Sequence, residues 1–166
     1  MKPDQEFDIE KRVQKAVNYF MSGYNCAQSV AAAYGDLYGF SQEQIVRCAA
    51  SFGAGIGRMR ETCGAACGMF LIAGLETGAT DPADRMGKSE NYRVVQELAA
   101  EFRKRNGALR CADLLGLKPD EPISHVPEIR TDSYYKKRPC AKKIEEAARI
   151  VGEFLLNYNQ KRHRIG

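Results

Sequence analysis

The chain has 166 residues, 44% hydrophobic and 28% charged, with no Trp and a formal net charge of +4. That length holds one domain with a buried core, and the composition excludes global disorder. The charge is uneven: residues 1–80 carry seven Lys/Arg against eight Asp/Glu, and the remainder carries 18 against 13. Acidic residues interrupt the basic ones and no aromatic–basic stacking pattern accompanies them, so the sequence reads as solvated helix, with no nucleic acid as partner.

The predicted elements are helices throughout. Met1 to Asp8 is polar and acidic, and no run approaches the ~20 apolar residues of a membrane span, so a cytoplasmic chain without membrane insertion is expected. The first helix runs from about residue 7 to 22, with Val13, Val17 and Phe20 on one face. Gly23 ends it, and Asn25 caps a second helix over 26–38 whose Ala27, Ala31, Ala32 and Ala33 admit a close neighbour. Ser41-Gln42-Glu43-Gln44 has the form of a capping box and opens a third helix to about Ser51.

A glycine-rich loop, Gly53-Ala54-Gly55-Ile56-Gly57, precedes a fourth helix that starts near Thr62 and carries Cys63, Cys67, Phe70 and Leu71. Asp81-Pro82 signals the start of a fifth, interrupted near Gly87 and running through Val94, Leu98 and Phe102 to Gly107. Residues 118–139, with Pro119, Pro122, Pro127 and Pro139, read as one long loop, and such loops are commonly functional. Pro139 opens a last helix through Ile144, Ala148, Val151 and Leu155. The expected fold is an all-α single-domain bundle of five to six helices, with its core at about 10–158 and a flexible basic tail at 159–166.

Six cysteines stand out: Cys26, Cys48, Cys63, Cys67, Cys111 and Cys140. In a reducing cytosol that number points to reactive thiols or metal ligands rather than a disulfide framework. A thiolate in the first turn of a helix capped by Thr62 has a lowered pKa, aided by Arg58 and Arg60 and opposed by Glu61, which makes Cys63 a candidate nucleophile. Gly64 and Gly68 clear space near its sulfur, although tight helix packing asks for the same residues. Cys63 and Cys67 share a helix face at a Cβ separation of about 5–6 Å. That is wide for a disulfide and easier for two ligands of one metal.

Other motifs carry less. Gly53-x-Gly55-x-Gly57 lacks the third glycine of a dinucleotide fingerprint and the Lys-Ser/Thr of a P-loop, so it is a helix-opening turn. His125 lies in the long loop and His163 in the basic tail, and neither has zinc-finger spacing to the cysteines. Asp113 and Asp120 form no acid–base pair. Tyr134-Tyr135-Lys136-Lys137-Arg138 is a basic approach to the last helix that places positive charge near Cys140.

Cys63-Gly64-Ala65-Ala66-Cys67-Gly68 resembles the signature of the C_GCAxxG_C_C family, a set of helical proteins with an inferred redox role. Asn25-Cys26-Ala27-Gln28 is similar to its first cysteine segment and Phe52-Gly53-Ala54-Gly55 to the loop before the signature. Cys111-Ala112-Asp113 and Pro139-Cys140 are similar to its last two. The resemblance implies that Cys26, Cys63, Cys111 and Cys140 are the functional cysteines, with Cys48 and Cys67 outside the set.

Two functions follow as expectations. One is thiol–disulfide or electron-transfer chemistry centred on Cys63, with Cys26, Cys111 or Cys140 as resolving partner. The other is a metal site, zinc or an iron–sulfur cluster, drawing on Cys26, Cys63, Cys67, Cys111 and Cys140. Gly53, Gly55, Gly57, Gly64 and Gly68 are the candidate residues around such a cofactor. The partner is a redox or electron-transfer protein of unspecified identity, and the Ala- and Gly-rich helices are compatible with a homodimer.

Overall fold

The computed structural model describes residues 7–119 and 121–165, with side-chain surroundings up to residue 160. The α-helices are α1 (Ile9–Met21), α2 (Cys26–Tyr34), α3 (Gln42–Ala49), α4 (Gly64–Thr77), α5 (Arg85–Asn106), α6 (Cys111–Leu115), α7 (Asp132–Lys137) and α8 (Cys140–Ile165). No strand occurs among the described residues, where one isolated antiparallel bridge pairs Thr62 with Arg110. The all-α class read from the sequence holds, with six long helices and two short ones. No helix among these residues is long and apolar enough to cross a membrane. His163 and Asp120 lie outside the residues whose side chains are described, as does most of the basic tail.

Local signals set several helix starts. The Asp8 carboxylate accepts from the Lys11 N–H and caps α1. Reciprocal capping boxes open α2 through Asn25 and Gln28, and α3 through Ser41 and Gln44, satisfying backbone N–H groups that have no helical partner.

Other boundaries move. Helix α5 starts at Arg85, because the Asp84 carboxylate accepts from the Gly87 N–H at 2.7 Å and caps it. Asp81 instead closes a turn on the Ala83 N–H at 2.8 Å, and α5 runs through Gly87 unbroken. The second helix tightens at Gly35 into a 3-10 turn over Gly35–Tyr38. Within the long loop, Thr131 accepts from the Tyr134 N–H and caps α7, a start signal hidden among the prolines.

The core lies where α1, α2, α4 and α8 meet, with α5 closing one side. Phe20, Tyr34, Met69, Ile72, Phe102, Ile144 and Leu155 are fully buried there. The Tyr34 hydroxyl donates to the Ala148 carbonyl at 2.8 Å, so its one polar atom is satisfied inside the core. Helix α3 adds Ile45 and Ala49 against the alanines of α2. The alanine face thus serves internal packing, as its small side chains suggested.

The glycine-rich loop is more unusual than a helix-opening turn. Ala54, Gly55, Ile56, Gly57 and Arg58 all have positive φ, between 54° and 76°, and Arg60 follows at 63°. The Ile56 N–H donates to the Phe52 carbonyl at 3.3 Å and the Arg58 N–H to Gly53 at 3.3 Å, making one left-handed helical turn. Each non-glycine residue in that conformation costs about 1–2 kcal/mol. Ala54→Gly should therefore stabilise the chain slightly, by up to about 1 kcal/mol after the entropy of the unfolded glycine is subtracted, as read from a urea midpoint. The turn carries Ala54, Arg58 and Arg60 to the site described next.

Candidate functional site

Four helices begin at one place. Cys26 is the first residue of α2, Cys63 the N-cap of α4, Cys111 the first residue of α6 and Cys140 the first of α8. All four line a single cavity of about 40 Å³, which is room for a few water-sized groups. Backbone pairing holds Cys63 beside Cys111. The Cys63 N–H donates to the Leu109 carbonyl at 2.9 Å, and the Cys111 N–H to the Glu61 carbonyl at 2.6 Å.

The glycines explain the closeness of the rest. A Cβ on Gly64 would lie 2.8 Å from the Phe52 carbonyl and 3.2 Å from the Cys26 Cβ. On Gly55, at φ +76°, it would lie 2.6 Å from the Cys111 Cβ. Gly53 sits against the Asn25 side chain, whose amide also donates to the Ala50 carbonyl at 2.9 Å. Gly68 meets the backbone of α2 at Ala27, one turn beyond the cavity. Gly57 has no tight neighbour, and its left-handed φ of 58° accounts for it. Gly53, Gly55, Gly64 and Gly68 thus allow close approach of neighbouring segments, and Gly64 also lines the cavity.

The thiols are not equivalent. Burial pushes the Cys63 thiol up to about 12, and the neighbouring Cys26 adds to the rise. The Ala65 and Ala66 N–H groups favour its thiolate but do not close a cap of normal geometry. The expected lowering at the helix start is thus outweighed by desolvation, since Cys63 is the N-cap and not a first-turn residue open to water. Cys26 and Cys140 share a hydrogen bond that holds Cys26 as the protonated donor, well above the ordinary thiol range. The same bond lowers Cys140, which is the more acidic thiol of the pair. Burial raises Cys111, while the Arg60 guanidinium hydrogen-bonded to it opposes that rise.

Cys67 stands apart from this set. Its thiol donates to the Thr62 carbonyl at 3.7 Å, and burial pushes it up to about 11. It is not among the groups lining the cavity. Cys48 is exposed on α3, and His125 is exposed in the long loop, away from the lining. Among the described residues, no three or more His, Cys, Asp or Glu side chains come together as a metal site requires.

Arg58, Arg60, Arg138 and Lys143 line the cavity together with Tyr134. Arg58 and Arg60 were expected to act near Cys63 and Arg138 near Cys140, whereas Lys143 was not foreshadowed. The long loop folds over this cluster. Arg58 Nε donates to the Ser124 carbonyl at 2.7 Å, and Glu128 pairs with Arg138 while standing 3.9 Å from both Arg58 and Arg60. Arg130 fastens the next segment, donating to the Phe20 carbonyl at 3.0 Å and lying 4.6 Å above the Phe20 ring.

The hydrogen bond to Arg138 holds the Glu128 carboxyl below the usual carboxylate range. A group depressed in this way contributes fully above its ordinary pKa, and the contribution disappears as pH falls through the lowered one. Backbone amides around Ser124 are accordingly expected to exchange faster on going from about pH 7 to about pH 3, after correction for intrinsic exchange. Glu128→Gln should produce the same acceleration at neutral pH. Unchanged protection in both cases would show that the loop is held by other contacts.

Comparison with curated proteins finds no match, and comparison with solved structures finds none either. The family model described as "Putative redox-active protein (C_GCAxxG_C_C)" matches residues 24–154, a span that contains all four cavity cysteines. With the match covering well over half of its length, the chain belongs to the C_GCAxxG_C_C family.

Proposed function

We propose that the chain is a thiol–disulfide redox protein whose exchanging pair is Cys140 and Cys26. The observation that supports this reading most directly is the hydrogen-bonded pairing of those two thiols inside the four-cysteine cavity. They sit at the starts of two different helices, so joining them needs no unwinding of either, unlike a Cys63–Cys67 bridge within α4.

The Cys140 thiolate attacks one sulfur of an incoming disulfide, and the other sulfur leaves as a thiolate carrying the bonding electron pair. Cys26 then loses its proton and attacks the Cys140 sulfur of the mixed disulfide, releasing the second half of the substrate as a thiolate. Two cysteine thiols are oxidised to one disulfide, and one disulfide is reduced to two thiols. Cys63 and Cys111 line the same space, and burial raises both, so neither is the attacking group.

The test is a thiol count on anaerobically purified protein, before and after mild oxidation and after re-reduction, with the disulfide mapped by peptide analysis. Reversible loss of two thiols, mapped to Cys26–Cys140, is expected. An unchanged count, with stoichiometric iron or zinc that is lost in Cys26→Ser or Cys140→Ser, would replace this reading with the metal one.

A further inference from the structure

We infer that the oxidant of this pair is a small anionic sulfur–sulfur compound, an S–S bond bearing a sulfonate or carboxylate group, with its anionic head seated among Arg60, Arg138 and Lys143. The inference rests on the dithiol reading and adds the substrate class to it.

Charge is the first ground. Four cationic side chains and no carboxylate line the cavity. Glu128 stands outside the lining and is shared among Arg58, Arg60 and Arg138, while Lys143 makes no ion pair among the described residues. Cys26, Cys63 and Cys111 are held in their neutral forms. Among the described residues Glu128 is the one carboxylate paired with these four cations, so positive charge is in excess around the cavity. Burial lowers the Arg58 pKa, the Arg60 and Arg138 charges add to that, and Glu128 opposes it.

The backbone points the same way. The Ala54 N–H is directed at the Cys26 sulfur, and the Ala65 and Ala66 N–H groups at that of Cys63. Such donors favour negative charge at the cavity floor. Strain in the left-handed turn is what places Ala54, Arg58 and Arg60 there.

Size is the second ground. The cavity holds a few water-sized groups, which suits a compact head group better than a nucleotide or a folded protein's disulfide loop. The remainder of the molecule extends through the mouth. Tetrathionate is the simplest probe of this class. Attack by the Cys140 thiolate on its central S–S bond releases one thiosulfate with the bonding electron pair. Attack by deprotonated Cys26 on the Cys140 sulfur releases the second. The balance is two thiols and one tetrathionate giving one protein disulfide, two thiosulfates and two protons.

The experiment compares anaerobic thiol oxidation by tetrathionate and by the neutral 2-hydroxyethyl disulfide, each referenced to free cysteine. The tetrathionate-to-neutral rate ratio for the protein should exceed that for free cysteine by about tenfold or more, and should fall as salt is raised. Lys143→Gln, at a partly exposed position, should lower the ratio, and two thiosulfates should appear per disulfide formed. A ratio equal to that of free cysteine and indifferent to salt overturns the inference and leaves the dithiol reading standing. If both reagents leave the thiol count unchanged, the dithiol reading fails and takes the inference with it.

Discussion

Cys140→Ser is expected to abolish reversible two-thiol oxidation, whereas Cys48→Ser, on the exposed face of α3, should leave it as in the parent chain. The asymmetry follows from the ionisation of the thiols. Only the thiolate attacks a disulfide or an alkylating reagent, and each unit of pKa changes the ionised fraction tenfold. Held up at about 12, Cys63 is ionised in only about one molecule in 10⁵ at neutral pH. Cys140 is shifted the opposite way by the bond from Cys26. In a Cys48→Ser background, iodoacetamide should therefore label Cys140 first and Cys63 last. The Cys140 rate should level off at a pH below the ordinary thiol value, while that of Cys63 keeps rising with pH. Cys26→Ser should capture the first step, leaving a mixed disulfide on Cys140 that no neighbour resolves. Faster labelling of Cys63 than of Cys140, or two-thiol oxidation surviving in Cys140→Ser, would move the attacking group elsewhere.

Much of the scaffold was legible because its signals are local. Asn25 with Gln28, and Ser41 with Gln44, announce helix starts within four residues, and the structure keeps both capping boxes. The site was less legible because it is made by convergence. Cys26, Cys63, Cys111 and Cys140 lie far apart in sequence, and no periodicity states that their helices begin at one point. Resemblance to a family grouped the four, but the residues alone could not rank them. Cys63 stands at a helix start, but its burial depends on the packing of Gly64 against Cys26 and Phe52, which no local signal states. Lys143 was hidden in an ordinary run of Lys and Glu on α8. Glu128 was hidden in a loop whose path back over Arg58 and Arg60 depends on contacts more than 60 residues away in sequence.

The glycine spacing of the motif offers a test that separates packing from chemistry within one helix. Gly68→Ala is expected to destabilise the chain by about 1–3 kcal/mol, because the new Cβ would lie 2.6 Å from the Ala27 carbonyl oxygen and 3.0 Å from the Val30 Cβ. Backbone cannot yield as a flexible side chain does, so α2 must move away from α4. Gly74→Ala, six residues further along α4 and with nothing within 4 Å of its Cβ position, should instead stabilise by roughly 0.5–1 kcal/mol from helix propensity. Opposite shifts in the denaturant midpoint are the expected result. The displacement in Gly68→Ala also carries Cys26, at the start of α2, away from Cys140. Oxidation of that variant should therefore slow and yield less of the Cys26–Cys140 disulfide under conditions where the chain is still folded. If Gly68→Ala were instead as stable as Gly74→Ala and formed the bridge at the parent rate, the close approach of α2 and α4 would not be what positions Cys26. The motif's second glycine would then need an explanation outside the helix packing.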